Sequence, residues 1–418
     1  MDSFCILPFI QVAGKTSGTY RLCCTSPNSD IEPHKTMGKD KISDVWNSAY
    51  YKEVRMKMLR GEKVNHCEIC YKTEAASSES RRQHHNRVWL ERLGEDRIEE
   101  IQKTVEADGG KNSLQPLSFD LRLGNLCNLK CRMCNSMTST SFAGEWEKLR
   151  ESGHDLSVFK SVDDLHTNSK RLSNWFQSDA FWDDIEDQFE TIQRVYLTGG
   201  EPTLIKRNND FLLRLIEKKR FDVEVILNTN ITMLNDTFLS NLEKFNRVSL
   251  SMSIDGVGEV NDYIRYPSKW DEIETNINAI FERKINVDIT YTLSAYNFFD
   301  LKNFIQWFLD NALERVGYID WNILDEPDFL AVSVIPYEIR KSYLDELGAH
   351  LNMIETKNNT MIIESLRSTF PLLLTKDSSD KYMKTFLNYT KIMDKLRKCS
   401  LLEVVKEYNF VKSEYESL

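Results

Sequence analysis

From residue 117 onward the chain alternates short apolar runs with helical stretches, and this alternation constrains the fold more than any other feature. Runs at 117–123, 194–198, 223–228, 247–254, 287–293 and 318–324 read as strands. Stretches at 208–219, 235–245, 270–283 and 301–311 read as helices. Such alternation demands parallel strands joined by right-handed crossovers. Six units predict an open, partial barrel over residues 116–330. The long aromatic and acidic connection at 137–191 reads as a helical insertion. Residues 331–418 carry no strand pattern and read as a helical C-terminal extension.

The first run is followed directly by CNLKCRMC, which places Cys127, Cys131 and Cys134 at C-x3-C-x2-C spacing. In parallel α/β folds, sites form at the carboxyl ends of strands. Thiolates are soft ligands that suit an iron–sulfur cluster or zinc. Three of them leave one coordination position open, the logic of a catalytic metal site. The alternative is a zinc site completed by a distant residue. The next strands end in LTGGEP (197–202), LNTN (227–230) and SMSIDG (251–256). Gly199 and Gly200 permit close backbone approach. Glu201 offers a carboxylate suited to an ammonium group, and the other two ends offer hydroxyls, amides and a carboxylate.

Five more cysteines lie in the first 80 residues: Cys5, Cys23, Cys24, Cys67 and Cys70. Cys5, Gly18 and Cys23 follow C-x12-G-x4-C, and Cys67 with Cys70 forms a C-x2-C pair. Four thiolates can close a metal site, and spacing alone leaves zinc and iron–sulfur open. Cys24 could replace Cys23 by a one-residue shift; the spacing from Gly18 favours Cys23. Between these pairs, Ser43 reads as a helix N-cap and Gly61 as the stop. Residues 81–115 read as a charged helical linker. Cys399 falls in a helical stretch and reads as a half-buried thiol.

In that order, the motifs resemble the radical S-adenosylmethionine (SAM) superfamily, whose signature is C-x3-C-x2-C followed by GGE on the next strand of a partial (β/α)6 barrel. The resemblance covers roughly residues 115 to 325. It implies that Cys127, Cys131 and Cys134 hold a 4Fe–4S cluster and that SAM completes the open iron. It further implies SAM contacts from Met133, Gly199, Gly200, Glu201, Pro202, Asn228, Asn230, Ser253 and Asp255. The N-terminal pattern resembles half of a SPASM module, called a twitch domain, here placed before the barrel. It implies that Cys5, Cys23, Cys67 and Cys70 hold an auxiliary 4Fe–4S cluster. The expected fold is therefore α/β: a partial (β/α)6 radical SAM barrel, a small α+β twitch domain at 1–80 and a helical C-terminal extension.

The implied chemistry is reductive SAM cleavage and hydrogen abstraction, with flavodoxin or ferredoxin as electron donor. The substrate is open among a small metabolite, a nucleotide or modified base, and a peptide. A zinc- or cluster-binding scaffold without catalysis is the rival from another class. Arg265, Tyr291 and Asn322 read as pocket residues near strand ends, with Asn297 and Asp325 beside them. His84 and His85, flanked by Arg81, Arg82 and Arg87, could grip a phosphate, though a solvated helix face is the plainer reading. The net charge of −10 disfavours a polyanionic partner such as nucleic acid. No apolar run approaches a membrane helix, and the first residues lack the pattern of a signal peptide. A cytoplasmic location, with reduced thiols, is the expectation.

Overall fold

The structure, a computed structural model, describes residues 3–26, 35–75 and 79–418. Eight strands form in chain order: β1 (Gln11–Gly14), β2 (Tyr20–Arg21), β3 (Ser118–Arg122), β4 (Arg194–Thr198), β5 (Glu224–Thr229), β6 (Arg247–Ser253), β7 (Asn286–Leu293) and β8 (Val316–Ile323). The last six occupy the six expected runs. The first two were not foreseen as strands. They are short and sit among turn residues, so no period could show them.

The described chain divides into two compact units. The first comprises Met1–Asn125, Leu172–Leu227 and Ser240–Val248. In it the strand order is β2-β1-β3-β4-β5. β1 pairs antiparallel with β2 and parallel with β3, and β3–β4 and β4–β5 are parallel. The N-terminal segment thus shares a sheet with the first strands of the barrel. Register aligns Val12, Phe119, Val195 and Val225 in one row, and Leu121, Leu197 and Leu227 in the next. All seven are buried. The opposite face carries Gln11, Arg21, Ser118, Asp120, Arg122, Arg194, Tyr196, Thr198 and Glu224. Parallel strands covered by helices on both faces read as continuous apolar runs. Strict alternation here means that one face is a polar lining.

The second unit comprises Leu126–Arg171, Asn228–Leu239 and Ser249–Leu418. β6, β7 and β8 run parallel within it, with an irregularity between Val287 and Ile289. Leu250, Met252, Val287, Ile289, Tyr291, Leu293 and Ile319 form the buried face. Ser251, Ser253, Thr290, Thr292 and Asn322 lie on the other face. The expected insertion contributes helices Thr140–Glu151 and Lys160–Ser169 to this unit and Asp179–Glu186 to the first. The C-terminal extension is helical, and its longest helix, Ser379–Arg397, buries Phe386, Tyr389, Thr390, Met393, Asp394 and Arg397 along one side. The 3.6-residue period brings these positions onto one stripe.

Three local expectations are corrected. Ser43 lies inside helix Ile42–Trp46, whose N-cap is Lys41; the side-chain cap belongs to Ser48, at the start of Ala49–Leu59. Cys399 lies just beyond the helix end, after Lys398 turns the backbone left-handed at φ 56°. Residues 81–107 form two helices, Arg81–Leu93 and Glu95–Ala107, that are not merely solvated: Trp89, Ile101 and Val105 are buried. No helix among the described residues is long and apolar enough to cross a membrane.

Candidate active site

The three-cysteine loop is fixed through its intervening residues. Lys130 N donates to Tyr266 O at 2.7 Å, and Arg132 N donates to Ile264 O at 2.8 Å. Ser139 Oγ donates to Leu129 O at 2.6 Å. The C-terminal helix supplies the rest: Tyr389 Oη donates to Arg132 O at 3.0 Å, and Arg397 Nη2 to Lys130 O at 2.6 Å. The Arg132 side chain, fully buried, reaches Asp394 at 2.5 Å and the Tyr263 carbonyl at 2.9 Å. Asp394 also accepts from Tyr263 Oη, Tyr415 Oη and Leu401 N. Residues between the cysteines thus carry much of the anchoring, joined by Ser141 Oγ, which donates to Cys127 O at 2.7 Å.

The cysteines are half-buried and none forms a disulfide. Burial pushes the Cys131 thiol up to about 12, with Cys134 and Cys127 adding to the rise against nearby Arg265. Burial also raises Cys134, opposed by its hydrogen bond with Thr138. Mutual repulsion of their charged forms shows that the three sulfurs share one neighbourhood. A metal bound there must displace protons. Asn230 borders this loop: its Nδ2 donates to Asn128 Oδ1 at 3.0 Å and lies 3.9 Å from Cys127 Sγ. Its Oδ1 accepts from Thr232 N and Oγ1.

Strand ends in the same unit hold the other named residues. Asp255 is 1% exposed and already engaged: Oδ1 accepts from Thr292 N at 2.8 Å, and Oδ2 pairs with Arg265 at 2.5 Å. Arg265 is therefore a partner of Asp255 near Cys131. Asn228 Nδ2 donates to Thr290 Oγ1 at 3.2 Å, and Ser251 Oγ meets the same hydroxyl at 2.7 Å. Ser253 and Met133 are half-buried. Tyr291 does not line an opening. It is fully buried, packed on Phe304 and Trp321, because period two turns it to the core face. Asn297 is likewise buried and bonds the Asp255 and Thr292 carbonyls. Asn322 is half-buried on the polar face and Asp325 is exposed. The sequence reading missed Ser251, Thr290 and Thr292; the alternation in NVDITYTL was the signal.

In the first unit, Gly199 adopts φ 125° and packs on Gly124, whose carbonyl oxygen would sit 2.7 Å from an added Cβ. Gly200 N donates to that same oxygen at 3.1 Å. A side chain at 199 would break this approach. Glu201 is 1% exposed, and its Oε1 accepts from Thr203 N and Oγ1. Pro202 is buried beside it.

Also in the first unit, Cys5, Cys23, Cys67 and Cys70 line one cavity, with about 380 Å³ of empty space that includes open solvent. Cys24, Arg81, Arg82, His66 and His85 complete its wall. Gly18 earns its place in the motif: at φ 85° its missing Cβ makes room for the Trp175 ring, 2.7 Å away from where that atom would be. The backbone around Cys5 is clamped by helix Arg81–Leu93. Ile6 N donates to Asn86 Oδ1 at 2.8 Å, while Phe4 O accepts from Asn86 Nδ2 and Arg82 Nη1. Burial raises the Cys5 thiol strongly, with Cys23 next, then Cys67 and Cys70. Burial and Cys23 push Cys67 up to about 12. Arg82 and Arg87 are occupied by Glu74 and Glu79, so they form no phosphate grip.

Among the described residues, no three His, Cys, Asp or Glu side chains are arranged to hold a single metal ion. The thiols group as three in one loop and five around one cavity, a soft donor chemistry that fits the ligation of iron–sulfur clusters.

Residues 121–308 match the family model described as the radical SAM superfamily. No curated protein matches the chain. Among solved structures, the chain is similar to native anSMEcpe with bound AdoMet, at 18% identity and TM-score 0.34, covering 50% of this chain and 53% of that one. It is similar also to Streptococcus suis SuiB bound to S-adenosylmethionine, at 12% identity and TM-score 0.39, covering 75% and 61%. SuiB bound to its precursor peptide SuiA matches at 11% identity and TM-score 0.37, over 72% and 63%. The chain thus spans about half to three-fifths of these proteins' length.

Proposed function

We propose, from the match of residues 121–308 to the radical SAM superfamily model, that the chain reductively cleaves SAM at a 4Fe–4S cluster held by Cys127, Cys131 and Cys134. A cluster at that loop, reduced by an external donor, would supply one electron to bound SAM, whose cleavage would release methionine and a 5′-deoxyadenosyl radical able to abstract hydrogen from substrate. The chain's part is to hold the loop, orient SAM and exclude water. Arg132, Tyr389 and Arg397 hold the loop. Gly199, Gly200 and Glu201 offer backbone and carboxylate to the SAM amine, and Asn230 and Ser253 offer further polar contacts. Asp255 acts by fixing Arg265. A second cluster, of twitch type, is assigned to Cys5, Cys23, Cys67 and Cys70, with flavodoxin or ferredoxin as the electron source.

The observation that carries this reading is the three-cysteine loop itself. Its thiols form no disulfide, the Cys131 thiol is raised by burial and by its two neighbours, and the loop is anchored largely through the residues between them. The test is anaerobic purification, iron and sulfide analysis, then reduction with dithionite in the presence of SAM. 5′-Deoxyadenosine should form well above the level given by Cys131→Ala protein. Iron-loaded protein that yields none would falsify the proposal.

A further inference from the structure

Three transverse rows cross the polar face of the first unit's sheet. In one, Arg194 lies beside Glu224. That row is closed: Glu224 accepts from Arg92 and pairs with Arg194 at 3.3 Å. The next row runs Arg21, Ala13, Asp120, Tyr196, with Arg122 and Thr198 forming the row beyond. Here the pairing is incomplete. Arg21 Nη2 lies 3.5 Å from Asp120 Oδ2, and Arg122 Nε lies 3.9 Å from Asp120 Oδ1. Neither contact is a hydrogen bond. Among the described residues, Arg21 Nε and Nη2, Arg122 Nε and Asp120 Oδ1 have no hydrogen-bond partner. Arg21 is 5% exposed, and its Nη1 donates to Cys24 O at 3.2 Å.

Two guanidinium groups face one carboxylate here, in a chain whose net charge is −10. Buried donors left unpaired cost free energy that a ligand with acceptor oxygens would recover. A guanidinium presents its free edge as a fork matched to carboxylate or phosphate. The Arg122 side chain is 24% exposed, so the cluster is open to solvent on that side. Arg81 and Cys24, which line the cysteine cavity, are next to it in the same unit.

We infer that Arg21 and Arg122, on the polar face of β2 and β3, form a binding site for an anionic group, carboxylate or phosphate, of the substrate. The inference rests on the proposed function only in calling that anion part of the substrate. Arg21 supplies the buried fork and Arg122 the accessible one. Asp120 spaces the two cations and holds them in the absence of ligand.

The test titrates the anaerobic holoenzyme with inorganic phosphate and, separately, with succinate, by calorimetry against chloride at equal ionic strength. Binding of either anion is expected, and which one binds tells phosphate from carboxylate. Arg122→Gln should weaken it about tenfold, as expected for losing a charged bidentate contact. Arg122→Lys, which keeps charge without the fork, should weaken it less and serves if the first variant melts early. Arg87→Gln, at a solvated ion pair, should change nothing. Failure of both anions to bind overturns the inference. So does an Arg122→Gln effect confined to SAM affinity, which would give the group to the cofactor. If no 5′-deoxyadenosine forms but anion binding and its loss in Arg122→Gln persist, the proposed function falls and the anion site stands.

Discussion

The two cysteine sets solve the same problem in opposite ways. Cys127, Cys131 and Cys134 lie within eight residues, and their loop is pinned by Lys130, Arg132 and the helix Ser379–Arg397. Cys5, Cys23, Cys67 and Cys70 come from separate segments that meet around one cavity. Closing a short loop costs little chain entropy, and a longer span costs more. The loop is therefore preorganised by protein alone. The cavity set is drawn from separate segments, with the Asn86 and Arg82 clamp near Cys5, so a bound metal there would contribute more to holding the segments together. On the proposed function, one site would use the fold to position a cluster, and the other would use a cluster to complete the fold.

The strongest way to break this contrast is to remove one ligand from each. Cys131→Ala should reduce 5′-deoxyadenosine to background while leaving the first unit intact. Cys67→Ala should remove roughly half the iron, given two clusters of equal size. It should leave SAM cleavage detectable and raise proteolysis of the first 75 residues. Equal iron loss at both sites in either variant, measured by iron analysis with Mössbauer spectra, would dissolve the distinction.

A smaller effect is expected from the clamps. Asp394→Ala strands the buried Arg132 guanidinium and removes the acceptor of five groups. Breaking such a buried pair costs about 3–5 kcal/mol. Asn86→Ala removes two backbone bonds around Cys5, each worth about 1 kcal/mol. Urea unfolding should rank the two variants in that order. Iron release to a chelator should accelerate at the three-cysteine loop in the first and at the cavity in the second. The opposite pattern of release would sink the assignment of the clamps.

Much of this was legible in the sequence because the informative residues are close together. CNLKCRMC shows its ligands in one glance, and GGEP shows the turn that Gly199 makes against Gly124. Alternation in RVYLT and NVDITYTL located the strands. What stayed hidden depends on distance or on face. Arg132 and Asp394 are 262 residues apart, and nothing local marks them as partners. β1 and β2 are too short for a period to emerge. Tyr291 reads as a pocket residue by its hydroxyl near a strand end, but its odd place in the alternation assigns it to the core. The same alternation, read on parallel strands, would have pointed to Arg21, Asp120 and Arg122 as a lining.

The smallest expected effect concerns what titrates in each unit, and the two signs oppose. In the second unit, burial raises the Asp300 carboxyl to about 6, against its bonds from Asn303 and the Val257 amide. A carboxyl raised above its unfolded value of about 3.9 keeps its proton better when folded. Its stabilising contribution is complete below pH ~4 and is lost as pH rises from there to about 6. In the first unit, burial, then Arg194, lowers His85 to about 3. The unfolded imidazole, near 6.5, binds the proton first, so stability rises with pH between about 3 and 6.5. Urea midpoints from pH 5 to 7 should thus respond oppositely. Asp300→Asn should remove a falling component, and His85→Gln a rising one. If both variants shift the slope in the same direction, the two polar interiors are not the distinct environments that their neighbours imply.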